Sequence, residues 1–425
     1  MELGDKIRQL RLYHNISQSM LAEGICSVAY LSKVENGKTK PTEHLVEKLS
    51  ERLEVTIDVL KDDLSEKYKR QMERLIDKYD KDPYHIFLES EIRILRLYFL
   101  ELLPLERTLR VFNILLHYFV RTQDITKSDE IFTRGNNLIP MEQKNFTQNV
   151  NDVFFLFKTV GNYFYIKEDF ELADYYFIKA KDYGNENQIE MAKIYYNISI
   201  TKQRIVSDMN VCLLYAKHAL DIFDSEEKHL QAINVLISKS IQYNIQKNFD
   251  KAFACLNEAQ DRLTLFPNLE NKSTKIMIFY HLGKIHQEKE EFDMALKQYN
   301  QALDNTNKQS NEAVYIFNSL LDIYIQKKEW DRIDYYLTEA INLATQKKLQ
   351  YQLVELLQKK ANVFKLRGDE DGYEREMKNA LTKAIEQKLS KLVKEISNEL
   401  ADYYYELRYY KKSSNYYRIA SNKTT

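Results

Sequence analysis

The feature that most constrains this chain is a small residue recurring at nearly fixed spacing. Ala180, Ala219, Ala259, Ala302, Ala340, Ala380 and Ala420 follow one another at intervals of 39, 40, 43, 38, 40 and 40 residues. Such self-similarity marks a chain of stacked units, each too small to bury its own apolar face alone. Two segments show the unit most fully. Phe157, Val160, Gly161 and Phe164 precede Ala173, Phe177 and Ala180, and Phe279, Leu282, Gly283 and His286 precede Ala295, Tyr299 and Ala302. Glycine on a first helix and alanine on a second permit close approach, while the aromatic rings fill the space above and below.

Both segments follow the aromatic-x2-L-G-x2-Y…A-x3-F-x2-A skeleton of the tetratricopeptide helix pair. The period exceeds the usual value of about 34, so helices or loops must be longer by about a turn and a half per repeat. Composition agrees with an all-α chain. Nine Gly and five Pro among 425 residues leave little for turns that need positive φ or a rigid kink, and favour short helix–helix connections over strands. The expected architecture is a right-handed superhelix of tetratricopeptide-like repeats with a concave inner face. Residues 70–150 read as helical but fit the repeat poorly, and an atypical first repeat is expected around Leu115 to Gly135.

The first 61 residues are different. Leu3, Ile7, Leu10 and Arg11 suit a first amphipathic helix. Ser17 and Ser27 are N-caps for a second and third helix, joined by a tight turn at Glu23-Gly24-Ile25-Cys26. Leu21 and Ala22 are spaced to meet Leu31 and Val34, which turns the start of the third helix outward, as in a helix-turn-helix module. Gly37 ends the third helix. Pro41-Thr42 opens a fourth with Leu45, Leu49 and Leu53 on one face, and Ile57, Val59 and Leu60 suggest a short fifth. The expected organisation is a helix-turn-helix DNA-binding domain over 1–61, a connector over 62–72, and a repeat domain for peptide sensing and oligomerisation over 73–425.

On the DNA-reading module, Gln18, Ser27, Val28, Ala29, Tyr30 and Lys33 lie where base edges or flanking phosphates are met, and Arg8, Arg11, Lys38 and Lys40 are phosphate candidates. Glu35 would repel phosphate, and pairing with Arg11 inside the domain suits it better. Sixty-two basic residues against 63 acidic ones give a net charge of -1, so no global field draws nucleic acid. Residues 1–40 hold six basic and four acidic groups, a modest local excess. One copy should bind weakly, which argues for a homodimer on a two-part site. Three dispersed cysteines (Cys26, Cys212, Cys255) give neither a disulfide framework nor metal-ligand spacing. No Ser/His/Asp set or nucleotide loop appears among the eight dispersed His, so neither catalysis nor a cofactor is expected. No targeting signal or membrane-length apolar run is present, and a cytoplasmic protein is expected.

Positions three or four residues apart on each first helix of a repeat line the inner face. That register gives Lys158, Asn162 and Tyr165; Asn197, Thr201 and Arg204; Asn234 and Asn244; Tyr280, Lys284 and Gln287; Tyr315, Asn318 and Asp322; Gln358, Asn362 and Lys365; and Asn398, Asp402 and Tyr405. Asn is an indifferent helix former, so stability does not explain its recurrence. Its amide offers a donor and an acceptor, which is what a peptide backbone requires. The stripe therefore reads as a groove for a short extended peptide, with Lys158, Asn162, Asn197, Arg204, Asn234, Tyr280, Lys284, Asn318, Asp322 and Asn362 as contacts.

A phage-repressor-type helix-turn-helix followed by about seven long tetratricopeptide repeats resembles the peptide-pheromone receptors of Gram-positive bacteria. That group contains Rap, Rgg, NprR, PlcR and PrgX. Length, repeat count and the Asn-lined stripe put the resemblance nearest its NprR branch. It implies a quorum-sensing transcription regulator whose groove holds a re-imported signalling peptide through Asn side chains, matched here by Asn162, Asn197, Asn234 and Asn318. Peptide would change the oligomer, dimer or tetramer, and so DNA binding. The resemblance also implies a second reading, a protein that sequesters or dephosphorylates a response regulator of the sporulation phosphorelay. A chaperone-type scaffold is a third, and would have no use for an outward-facing helix start.

Overall fold

The computed structural model describes residues 3–13, 16–53, 57, 66–99, 105–139, 150–266 and 272–421. Among these residues all regular structure is helical and no strand occurs. The chain forms two compact units, Met1–Glu227 and Lys228–Thr425.

The first unit opens with α1 (Leu3–Tyr13), α2 (Gln18–Ala22), α3 (Val28–Glu35) and α4 (Glu43–Arg52). Each of α2, α3 and α4 begins at a hydroxyl cap: Ser17, Ser27 and Thr42 accept from the backbone amides of Met20, Tyr30 and Leu45. Ile7, Leu10, Leu21, Ala22, Leu31, Val34, Leu45, Val46, Leu49 and Leu53 form the core of this head. The short fifth helix expected after Leu53 lies outside the described residues, apart from Ile57.

Further along are α5 (Glu66–Lys81), α6 (Glu89–Phe99), α7 (Leu105–Arg121) and α8 (Ile125–Leu138). The regular hairpins α9 (Val150–Ile166) with α10 (Phe170–Tyr183) and α11 (Gln188–Ile205) with α12 (Met209–Ser225) complete the unit. Helix α1 packs against α8, which ties the head to the rest. The pair α7–α8 is the atypical repeat. Here the close-approach glycine sits on the second helix: a Cβ on Gly135 would lie 2.4 Å from the Phe112 ring. In α9–α10 the order is the regular one, with Gly161 on the first helix and its virtual Cβ 2.5 Å from the Phe177 ring.

The second unit is five hairpins: α13 (His229–Ile245) with α14 (Phe249–Leu265), α15 (Lys272–Glu288) with α16 (Phe292–Asp304), α17 (Asn311–Lys327) with α18 (Trp330–Gln346), α19 (Gln350–Leu366) with α20 (Glu370–Glu386), and α21 (Ser390–Glu406) with α22 (Tyr410–Ser421). The first helices also touch in succession, α13 to α15 to α17 to α19 to α21, which makes one continuous layer. Its core runs without a break from Ile276 to Tyr404.

The long period has a simple origin. From Trp330 onward helices start at 330, 350, 370, 390 and 410, each of the first four having 17 residues followed by a three-residue turn. The extra length over a 34-residue repeat is therefore carried by the helices. The turns overrule the expectation that few glycines mean few left-handed positions. Among the described residues nine other than glycine take positive φ, including Lys328 (56°), Lys348 (56°), Lys388 (56°) and Arg408 (61°). Their neighbours close the helix ends. Glu329 donates to the Tyr324 carbonyl at 3.0 Å, Leu349 to Ala344 at 2.9 Å, Leu389 to Ala384 at 2.9 Å and Tyr409 to Tyr404 at 2.8 Å. This is the six-to-one bond of a Schellman ending, which satisfies carbonyls that the helix leaves unpaired. The same neighbour is the N-cap of the next helix where one follows, so one residue ends a helix and opens another.

Candidate functional site: the third helix of the head and the polar stripe of the repeats

In the head, sequence-local caps fix α2 and α3, and a buried ion pair fixes how they meet α1. Arg11 Nε donates to Glu35 Oε1 at 2.7 Å and its Nη2 to Glu35 Oε2 at 2.9 Å, while Nη1 donates to the Ile16 carbonyl at 3.1 Å. Gln18 Nε2 donates to Glu35 Oε2 at 2.7 Å. The pairing of Glu35 with Arg11 is as the sequence suggested. The assignment of Arg11 to phosphate is corrected: it is 8% exposed and its guanidinium is used inside the domain. Gln18 likewise is half-buried and spends its amide on Glu35.

The outward surface of α3 is open. Ser27, Val28, Ala29 and Lys33 are exposed, as are Arg8, Lys38 and Lys40 beside it. Tyr30 differs from the expectation, being half-buried with its ring against the head core. The turns on either side depend on glycine, with φ of 68° at Gly24 and 67° at Gly37. What remains facing solvent is a short helix start with small side chains, flanked by four cations. A phosphate-lined groove can approach such a surface closely.

On the first-helix stripe of the first unit, Lys158 is also corrected. It is 8% exposed, and its ammonium donates to Glu190 Oε2 and to the Tyr84 hydroxyl, both at 2.5 Å. Tyr84 comes from the segment between α5 and α6, and its ring lies under Lys193 at 4.0 Å. This place is filled by the chain itself. Burial pushes the Lys158 ammonium down to about 8, against the pull of Glu190. Burial alone would raise the Glu190 carboxyl; Lys158, Lys193 and Tyr84 together hold it below its usual range. Asn162 and Asn197 do come together, the Asn197 Nδ2 donating to Asn162 Oδ1 at 3.2 Å, and both are half-buried. Arg204 is exposed near the end of α11, over the Phe170 ring at 5.7 Å.

In the second unit, Asn234, Tyr280, Lys284, Asn318, Asp322 and Asn362 are all half-buried on first helices. Asp322 is paired with Lys359, which also donates to the Asn318 carbonyl at 3.3 Å. Glu355 lies close to the same group, and burial raises its carboxyl, with Lys359 opposing. Sequence reasoning missed Lys359 because it sits one position past Gln358, and passed over Glu355 although it lies on the assumed stripe, three residues before Gln358. It missed Tyr84 and Glu190 because their partnership spans 106 residues. Among the described residues no group of three or more His, Cys, Asp and Glu could hold a metal ion, and no helix is long and apolar enough to cross a membrane.

Residues 7–60 match the helix-turn-helix family model HTH_3. The transcriptional activator NprA of Geobacillus stearothermophilus is 25% identical over 317 residues, covering 72% of this chain and 74% of that protein. The apo form of the quorum sensor NprR from B. thuringiensis superimposes with a TM-score of 0.58 at 17% identity, over 84% of this chain and 99% of that one. NprR in complex with its cognate peptide NprX gives a TM-score of 0.54 at 16% identity, over 84% and 98%. At that identity the solved structures speak for the fold alone.

Proposed function

We propose that this chain, a helix-turn-helix protein with tetratricopeptide-like repeats that resembles NprA and NprR, is a regulator of their kind and binds operator DNA through α3 under the control of a short signalling peptide. The observation that carries the DNA half is the pairing of an open α3 start with the buried Arg11–Glu35–Gln18 network. The network buries the acidic group of α3 and leaves Lys33 and Lys38 exposed. The peptide half rests on half-buried Asn side chains along first helices in each unit, and on the NprR relative that was solved with its cognate peptide. The regulator acts as a homodimer or larger, on two half-sites, in the compartment that holds the DNA, and its work needs no catalytic group. A near-neutral head gives too little affinity alone.

The test is a gel shift with fragmented genomic DNA, run on the full chain with and without a synthetic peptide matching the end of the small open reading frame beside its gene. Lys33→Ala combined with Ala29→Glu should abolish the specific shift at unchanged helical content, because each good contact is worth about 1–3 kcal/mol. Asn197→Ala and Asn318→Ala should each keep the peptide-free shift and weaken the response to peptide about tenfold, since each strands a peptide amide at about 1–3 kcal/mol. An unaltered shift in the first variant rejects α3 as the reading helix. Unaltered peptide response in both Asn variants rejects the inner faces.

A further inference from the structure

The second unit holds a half-buried cation whose neighbouring carboxylates stop short of an ion pair. Lys284 on α15 is half-buried, yet among the described residues no carboxylate lies within ion-pair distance of its ammonium. Asp322, the carboxylate that acts on it most strongly, is paired with Lys359. The Lys284 ammonium lies over the Tyr280 ring, 5.9 Å from its centroid. Burial lowers the Lys284 ammonium from its ordinary range, and the more distant Asp322, Glu288 and Glu355 only partly oppose this. A buried charge left in that state is costly, and the chain has had a partner at hand and given it to another lysine.

The groups around it also carry unspent hydrogen-bonding capacity. Asn318 Oδ1 is buried with no donor. Tyr315 accepts from Gln352 Nε2 at 3.0 Å, and Tyr280 accepts from Ser319 Oγ at 3.3 Å, so each hydroxyl keeps its own proton to give. One cation and two hydroxyl donors on the touching helices α15 and α17 suit a planar anion with two oxygens, and an amide acceptor on α17 suits the backbone N–H that accompanies it.

We infer that Lys284, with Tyr280, Tyr315 and Asn318, forms a carboxylate-reading point on the inner face of the second unit, and that the signalling peptide presents a carboxylate there. This rests on the peptide reading above and adds its chemistry: the ligand is acidic at one position, either through an Asp or Glu side chain or through its C-terminus. Lys359 and Asp322 hold each other in place beside it and do not take part.

The probes are three fluorescein-labelled heptapeptide pools, randomised over neutral residues and titrated by polarisation against the full chain. One has a free C-terminal carboxylate and no acidic residue. A second is C-terminally amidated with one Asp. A third is amidated with Asn in place of that Asp. At least one of the first two should bind the parent tenfold or more tighter than the third, and which one does so identifies the source of the carboxylate. Lys284→Met should bring that pool to the level of the third, while Lys284→Arg should keep the preference. Equal thermal melts of both variants show that the fold is intact. If all three pools bind the parent alike, or Lys284→Met keeps the preference, the carboxylate assignment is wrong while peptide binding stands. If no pool binds the parent, both the assignment and the peptide reading fall.

Discussion

Replacing Glu35 with Ala should unfold the head while leaving the repeats intact. Glu35 is 1% exposed and accepts three hydrogen bonds, two from Arg11 and one from Gln18. Its removal leaves a buried guanidinium whose sole remaining partner in this network is the Ile16 carbonyl. Breaking one side of a buried pair costs about 3–5 kcal/mol. Among the described residues the head core holds ten buried apolar side chains, and a domain that small lies at the low end of the roughly 5–15 kcal/mol typical of folded domains. The loss is therefore comparable to everything that holds the head together. Hydrogen exchange of the full chain reads this directly: in Glu35→Ala, amides of α1 and α3 should lose their protection while those of α9 to α12 keep theirs, and the specific gel shift should vanish. The paired variant Arg11→Met with Glu35→Leu leaves no stranded charge, and should recover protection to within about 1 kcal/mol of the parent. Parent-like protection in Glu35→Ala, or equal damage in the paired variant, would refute the account of the pair as the clamp between α1, α2 and α3.

Two further outcomes follow from other parts of the chain. Burial first, then Lys158 and Arg121, pushes His117 down to about 4, and burial with Lys284 does the same to His281. The folded state thus refuses a proton that the unfolded chain accepts near pH 6.5, so stability is complete above that pH and falls as pH drops toward 4. The loss approaches about 3 kcal/mol per histidine, and melting curves of His117→Phe and His281→Phe should be flatter between pH 6.5 and 4 than those of the parent. At Lys348, φ of 56° carries a Cβ in the left-handed region. Lys348→Gly relieves about 1–2 kcal/mol of that strain and gives back part of it as chain entropy, so urea titration should show a net gain of about 0.5–1 kcal/mol. A loss there would mean that the lysine side chain has a role at the turn.

What could be seen in the sequence was what acts over short range. Ser17, Ser27 and Thr42 cap helices within three residues of themselves, and the head was legible from them. Gly161 and Gly283 announced their partners Phe177 and Tyr299 because the repeat fixes the spacing. The turns were not legible, because lysine, glutamate and arginine occupy positions that a reader assigns to glycine, and these exposed side chains leave no hydrophobic trace. Lys158 looked like a groove residue because its register is right. Only the fold brings Tyr84 onto it from 74 positions earlier. Arg11 looked like a phosphate ligand because it is a basic residue beside the helix-turn-helix, and its burial depends on where α3 delivers Glu35, 24 positions away.

The twenty-residue pitch from Trp330 to Tyr410 also limits how such a gene can change. Each turn uses a fixed three residues, so a codon gained or lost inside a helix cannot be absorbed there. One residue turns everything after it by about 100° around the helix axis, which would carry an inner-face asparagine such as Asn362 off its stripe and swing an apolar neighbour into its place. Duplication or deletion of forty codons instead returns every downstream side chain to its former bearing. Length variation among descendants of this gene should therefore come in whole hairpins, with single-codon insertions confined to segments outside the pitch.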